Sequence, residues 1–584
     1  MKDFIKFTFA SMLGMLLAGF AFVILGAVII ASLVLSTGSS THIAKNSVLV
    51  LDLKGTLYER VQENPLYELM GEEFLEYGLD DILNVIQLSK YNANINGIYL
   101  QAEMQDASYA SLEEIRNALK DFKESGKFVI AYADQYSQPM YYLASVADKV
   151  IVNPQGSIEW QGLASQSIFF KDLLEKAGIE MEIFKVGTYK SAVEPYMANE
   201  MSDANREQLT TVLNSIWERL LKDVSASRSI PEDVLKNCAD DFMAFAPAET
   251  YIANGMADTL LYKDGVLNYL KDLTGCAPGE TLQTISFEEM KLNQTIPTSP
   301  DNIIAVYYAF GDIDASLSPN EGINPEKMIT DLRKLREDES VKAVVLRINS
   351  PGGSAYGSEQ IWREVTLLKE KKPVIVSMGD YAASGGYYIA CAADYIVADP
   401  TTLTGSIGIF GMFPNLEKLL TDKLSLHFGI VKTNPHADMG DLTRPFTTAE
   451  KKAMQDYVNR GYQLFVKRCA EGRGMSVEAI EKIAEGRVWT GTIAQEYGLV
   501  DELGGLDKAL QIAKQRANLQ THSVAHYPSK DDSWITFING EKESYIENKM
   551  SDALGELYNY TKFIQRLKNS DRIQARMPFD LRIR

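Results

Sequence analysis

Residues 140–154 read MYYLASVADKVIVNP and residues 386–400 read GYYIACAADYIVADP, a match at a separation of 246 positions. Two further pairs keep the same order. INGIYLQ (95–101) resembles VKAVVLR (341–347) at that separation, and APAETYIANGMADTL (246–260) resembles VWTGTIAQEYGLVDEL (488–503) after a small slip. Three collinear matches indicate one domain present twice. The stretch NQTIPTSPDN (293–302), two prolines among polar residues, reads as the linker. The expected first copy is 46–292 and the second 302–530.

Each copy reads as α/β. In the second, the β-branched runs at 302–311, 342–350, 373–379 and 394–400 are long enough for buried strands and too short for helices. Between them, Ile361, Val365, Leu367 and Leu368 recur at helical spacing within 357–372, and 447–473 carries Met454, Tyr457, Val458, Tyr462, Phe465 and Val466 along a long amphipathic helix. Strands alternating with helices imply βαβ units and mostly parallel pairing.

The 584 residues are 46% hydrophobic and 23% charged, an ordinary globular composition. A formal charge of −20 argues against a nucleic-acid partner, because phosphate binding needs a basic surface. Cys238, Cys276, Cys391 and Cys469 lie far apart without metal-ligand spacing, so no metal is expected.

At the N-terminus, residues 1–6 carry Lys2 and Lys6, and 7–35 contain no charged side chain. As a helix at about 1.5 Å per residue, that segment spans a hydrocarbon core of about 30 Å with length to spare. It predicts a single transmembrane helix with a cytoplasmic N-terminus and the remaining chain on the outer side. Residues 531–584 are expected to form a helical tail, with Ile546, Met550, Leu554, Leu557 and Tyr558 on one face.

Two glycine-bearing turns of the second copy could carry chemistry. In NSPGGSAYGS (349–358), Gly352 and Gly353 could offer backbone N–H groups to an oxyanion, or could simply make a turn. In YAASGGYYIA (381–390), Ser384 falls at a strand-to-helix junction, where a serine is either a nucleophile or a helix N-cap. A nucleophile needs a base. His427 and His436 are the nearest histidines, with no acidic orienter beside them in sequence. The better candidate is Lys190 in FKVGTYKSAVEPY (184–196), provided burial keeps it neutral and Glu194 does not pair with it.

VGTYKSAVEPY, NSPGGSAYGS, MGDYAASGGYYIACAADYIVADPTTLTGSIGIFG and EGRVWTGTIAQEYGLVDELGGLDKAL together resemble the signal peptide peptidase A family, in its long duplicated form. The resemblance implies a crotonase/Clp-protease-like α/β fold, duplicated and assembled into rings as a homotetramer. It implies a serine peptidase without a cofactor, with Ser384 as nucleophile and Lys190 as general base. Gly353 or Gly352 would then serve the oxyanion hole, and Ser406 would orient the lysine. The implied substrates are remnant signal peptides. The implied location is the bacterial inner membrane, with the catalytic domains on the periplasmic side. The repeat agrees: Gln138 stands where the first copy would have Ser384, and His436 where the second would have Lys190. Two rivals are a catalytically inactive, anchored peptide-binding scaffold and a crotonase-type acyl-CoA enzyme.

Overall fold

The computed structural model describes residues 43–61, 76–277, 279–293, 301–317, 322–530 and 572–577, and a few helical positions between 6 and 24. Most of the 7–35 segment lies outside the described residues, and among those described no helix is long and apolar enough to cross a membrane.

The first copy supplies β1 (Ser47–Tyr58), β2 (Glu76–Gly78), β3 (Ile95–Asp106), β4 (Phe128–Tyr136), β5 (Lys149–Ile158), β6 (Glu180–Lys185), β7 (Thr259–Leu260) and β8 (Thr284–Ser286). All but β6 form one sheet, in the order β2-β1-β3-β4-β5-β7, with β8 also on β1. The second copy supplies β9 (Ile303–Phe310), β10 (Val341–Ser350), β11 (Gly352–Ser354), β12 (Val374–Ala383), β13 (Tyr395–Ala398), β14 (Leu403–Gly405), β15 (Phe410–Asn415), β16 (Val488–Thr490), β17 (Glu502–Leu503) and β18 (Ser523–Tyr527). Its main sheet runs β16-β14-β12-β10-β9-β18, with β13 between β12 and β17. The strands β3 and β10, β4 and β12, and β5 and β13 occupy matching places, as the repeat requires. The central strands pair in parallel and are buried on both faces, which is why they read as continuous apolar runs rather than alternating ones. The helices at Ala355–Lys369 and Thr448–Arg473 fall within a few residues of the periodic segments.

A third sheet has no counterpart in the repeat pattern. It runs β11-β19-β15-β6, with β19 at Ile573–Arg576. It joins a strand of the first copy, two of the second and one from the C-terminal end. The expectation of a helical tail over 531–584 is therefore corrected where it can be seen: 572–577 includes an extended strand, while 531–571 lies outside the described residues. Ala575 and Met577 are buried, so the segment is held by side-chain packing on two cores as well as by the ladder.

The two copies are also locked by charge. Arg347, in the middle of β10 and fully buried, pairs with Glu59 (2.5 Å) and Glu114 (2.6 Å) of the first copy. Its Nη1 also donates to Ser377 Oγ at 3.0 Å and Met378 O at 3.3 Å. Burial outweighs the guanidinium and pushes the Glu59 carboxyl up to about 7. Asn349 Nδ2 donates to Glu59 and to Asp380, whose carboxylate accepts from Ser111 Oγ of the first copy at 2.6 Å. Removing one partner of such a set leaves buried charge uncompensated, at a cost of about 3–5 kcal/mol. Arg347→Met keeps the volume and deletes the charge. It is expected to lower the unfolding free energy, read from a denaturant titration, by that order, with part of the loss recovered when Glu59→Gln is added.

Candidate active site

Ser384 follows β12 directly and precedes the short helix Gly385–Ala390. Its backbone sits at φ 55° and ψ −111°, a conformation that costs a residue with a Cβ about 1–3 kcal/mol. Two bonds hold it there: Ser384 N donates to Gly405 O, and Tyr388 N donates to Ser384 O, both at 2.8 Å. The side chain makes no capping bond to the helix, which removes the N-cap alternative.

Lys190 reaches Ser384 from the other copy, within the same chain. Its Nζ lies 2.8 Å from Ser384 Oγ, 3.0 Å from Ser406 Oγ and 3.2 Å from Ser406 O. Lys190, Ser384 and Ser406 are all fully buried. Burial alone holds the Lys190 amine well below the ordinary lysine range. A neutral amine has two N–H groups and one lone pair. The carbonyl of Ser406 can only accept and its hydroxyl can accept, so together they use both N–H groups. The lone pair is left for the Ser384 hydroxyl proton. Glu194 does not compete: it accepts from Ser202 Oγ and from Asn205 Nδ2.

The position of Lys190 is set by contacts across the copies. β6 pairs antiparallel with β15, from Lys185 opposite Phe410 to Glu180 opposite Asn415. The chain then turns through Gly187, and Tyr189 N donates to Glu485 O at 3.0 Å. Gly486, at φ +78°, lies so close that a Cβ there would be 2.7 Å from Lys190 Cβ and 2.8 Å from its N. Gln208, fully buried, donates through Nε2 to Tyr189 O (3.1 Å) and Ser191 Oγ (2.9 Å), and its Oε1 accepts from Val488 N (3.2 Å). Gln208 and Gly486 were not singled out by sequence reading. Gly486 lies inside the quoted EGRVWTG motif, and its left-handed turn was the signal available.

Gly352 and Gly353 lie between two backbones. Ile313 N donates to Gly352 O (2.9 Å) and Ser354 N donates to Ile313 O (2.7 Å) on one side, and β19 pairs with β11 on the other. A Cβ on Gly353 (φ +153°) would be 2.2 Å from Ile313 O, and one on Gly352 (φ +103°) 2.2 Å from Ala575 O, so neither position admits a side chain. The two amides differ: Gly352 N donates to Ser350 Oγ at 3.2 Å, whereas Gly353 pairs in register with Ala575.

The structure brings Ser384 and Ser406 to Lys190, and it brings the Gly352–Gly353 turn against the residue after Ser384, where a Cβ on Gly352 would be 2.7 Å from Gly385 N. It does not bring in the histidines. His436 Nδ1 lies 3.1 Å from Glu450 Oε1, and His427 is exposed. The matching place in the first copy is filled. Gln138 accepts from Gln161 N and Gly162 N and donates to Tyr109 Oη, and Trp160, at the position of Ser406, donates to Leu235 O.

The model of peptidase family S49 matches this chain twice, over residues 121–276 and 366–520. Protease 4 of Salmonella typhi is 36% identical over 84% of this chain and 82% of its own length. Protease 4 of Haemophilus influenzae is 35% identical over 91% of this chain and 89% of its own. The chloroplastic serine protease SPPA of Arabidopsis thaliana is 33% identical over 82% and 70%. Two matches of one family model, in the two copies that the sheets show, and relatives aligned along most of the chain carry one conclusion: the chain belongs to peptidase family S49, in duplicated form, and is a serine protease.

Proposed function

We propose that this protein is a membrane-anchored endopeptidase in which Ser384 attacks and Lys190 is the general base, acting on remnant signal peptides and other unfolded apolar peptides. The observation that carries the reading is the 2.8 Å contact between a fully buried amine and a fully buried hydroxyl, with burial alone depressing the amine's pKa. Neutral Lys190 takes the Ser384 proton as Oγ bonds to a peptide carbonyl. The resulting ammonium, held by Ser406, returns that proton to the leaving amine as the C–N bond breaks. Lys190 then deprotonates a water that hydrolyses the acyl-enzyme. The oxyanion forms against the Gly353 amide, and Gly352, whose N–H is already committed to Ser350, supplies the turn. The uncharged 7–35 segment supports the anchor, and with Lys2 and Lys6 preceding it the catalytic copies face the outer side of a bacterial inner membrane.

The repeat also supports assembly into a ring of four chains. Within one chain, β6 of the first copy pairs with β15 of the second. The residues that stand in the place of β6 in the second copy are 426–431, and there Leu426, Phe428, Ile430 and Val431 are exposed. The residues in the place of β15 in the first copy, 164–169, belong to no sheet among the described residues and leave Ile168 exposed. Each chain thus carries both halves of a join it makes once internally, and a second copy completes it head to tail.

Three outcomes are expected. Ser384→Ala and Lys190→Ala each lower casein or signal-peptide turnover by at least ~10³-fold with folding and assembly intact; turnover retained in either would remove the dyad. For pH, kcat/KM rises through one ionisation well below the ordinary lysine value of about 10.4. Between the depressed pKa and that value, the unfolded chain binds more protons at this site, so it contributes a stability that increases with pH. Unfolding at several pH values should show Lys190→Met without that slope, its advantage over wild type largest at the acid end. For assembly, light scattering in detergent should give a tetramer, and Ile430→Asp with Val431→Asp a monomer.

A further inference from the structure

Two of the four cysteines meet where the helix that follows Ser384 is packed. Cys391 comes directly after that helix, Gly385–Ala390, and Cys469 lies in the long helix Thr448–Arg473. Both are free thiols, fully buried in one core. Contacts on either side of Cys469 bring the two helices together at Cys391. One turn before it, Phe465 stacks on Tyr388 with ring centroids 4.3 Å apart, and Tyr388 O accepts from Cys391 Sγ at 3.1 Å. One turn after it, a Cβ on Gly472 would stand 1.9 Å from Cys391 O. Phe465, Cys469 and Gly472 share one helix face, so the Cys469 side chain is directed at Cys391. Burial and a hydrogen bond with the Cys391 thiol push the Cys469 thiol well above its ordinary range.

The matching joint in the first copy is held differently. Ser145 stands at the place of Cys391, and Arg116 donates to its Oγ at 2.6 Å and to Ser227 Oγ of the helix Asp203–Arg228 at 3.0 Å. In the second copy Trp362 stands at the place of Arg116, and the joint carries two thiols. The helix Thr448–Arg473 also reaches the lysine side of the site. Near its start Lys451 pairs with Glu182 at 2.9 Å and Gln455 Nε2 donates to Lys185 O at 3.2 Å, both on β6. It therefore runs from the strand that leads to Lys190 to the helix that follows Ser384.

We propose that Cys391 and Cys469 form a disulfide that ties the seat of Ser384 to this helix, closed by thiol–disulfide exchange as the chain folds. One thiolate attacks a disulfide oxidant R–S–S–R, forming a mixed disulfide and releasing RS⁻. The other thiolate attacks the cysteine sulfur of that mixed disulfide, which forms the Cys391–Cys469 bond and releases the second RS⁻. The two cysteines lose two protons and two electrons, and the oxidant is reduced to two thiols. With both sulfurs fully buried, exchange precedes the packing of the two helices, and the finished bond is shielded from reductants. The proposal goes beyond the peptidase reading and does not rest on it.

The test uses the full-length chain prepared in detergent without reductant, unfolded in guanidinium with iodoacetamide, digested and weighed by mass spectrometry. Cys238 and Cys276 are expected to carry the label, and Cys391 and Cys469 to appear in one joined pair of peptides that reduction separates. Both thiols labelled even after incubation with oxidised glutathione overturn the proposal. Thermal unfolding separates a covalent tie from ordinary packing. Cys391→Ala and Cys469→Ala are each expected to lower Tm by at least about 5 °C, and the double variant to lower it no further, because either substitution alone already removes the bond. Losses that add in the double variant overturn the proposal. Neither readout involves turnover, so a chain that joins these cysteines yet leaves casein intact removes the peptidase reading alone.

Discussion

The antiparallel ladder between β6 and β15 is the constraint on which the site depends. Its register sets Lys185 opposite Phe410, and so places Lys190, five residues on, at a fixed remove from that strand. Ser406 lies four residues before Phe410, and Ser384 N is bonded to Gly405 O. The Lys190 amine, Ser406 and the Ser384 hydroxyl are therefore positioned from one join between two domains. Gln208 ties the lysine loop to β16 in the same direction, and Gly486 permits the close approach that brings the amine into reach.

A neutral lysine depends on what surrounds it. A carboxylate at the seam would restore the ammonium and abolish the base. The acidic groups that join the copies are met by cations instead, Glu59 and Glu114 at Arg347, Glu182 at Lys451 and Glu207 at Arg487. The partners of the Lys190 amine are hydroxyls and a carbonyl. One interface thus carries several charge pairs and one uncharged contact.

Much of this was legible in the sequence, for physical reasons. The central strands are buried on both faces, so their apolar runs stand out, and two copies of one pattern reinforce each other. Ser384 was nameable from its small neighbours at a strand end, whereas Lys190 was singled out by the family resemblance of its loop, since its local spacing to Glu194 spoke against it. What was hidden is long-range. The sheet that unites β6, β11, β15 and β19 involves pairings between distant residues that no periodicity announces. The tail strand is four residues long with an arginine at its end, so it offered neither alternation nor an apolar run. Arg347 was visible as a charge within VVLRINS, yet its partners lie in the other copy and left no mark beside it.

The first copy's filled site has a bearing on how such a chain is made. Gln138 and Trp160 fill the matching place in the earlier-synthesised half with hydrogen-bonded side chains. In the proposed dyad the amine comes from that half and the hydroxyl from the later one, so the growing polypeptide would hold no complete centre until β15 has found β6. Machinery divided in this way between tandem halves would act as a safeguard in time, leaving the nascent chain inert until its second half has folded onto its first.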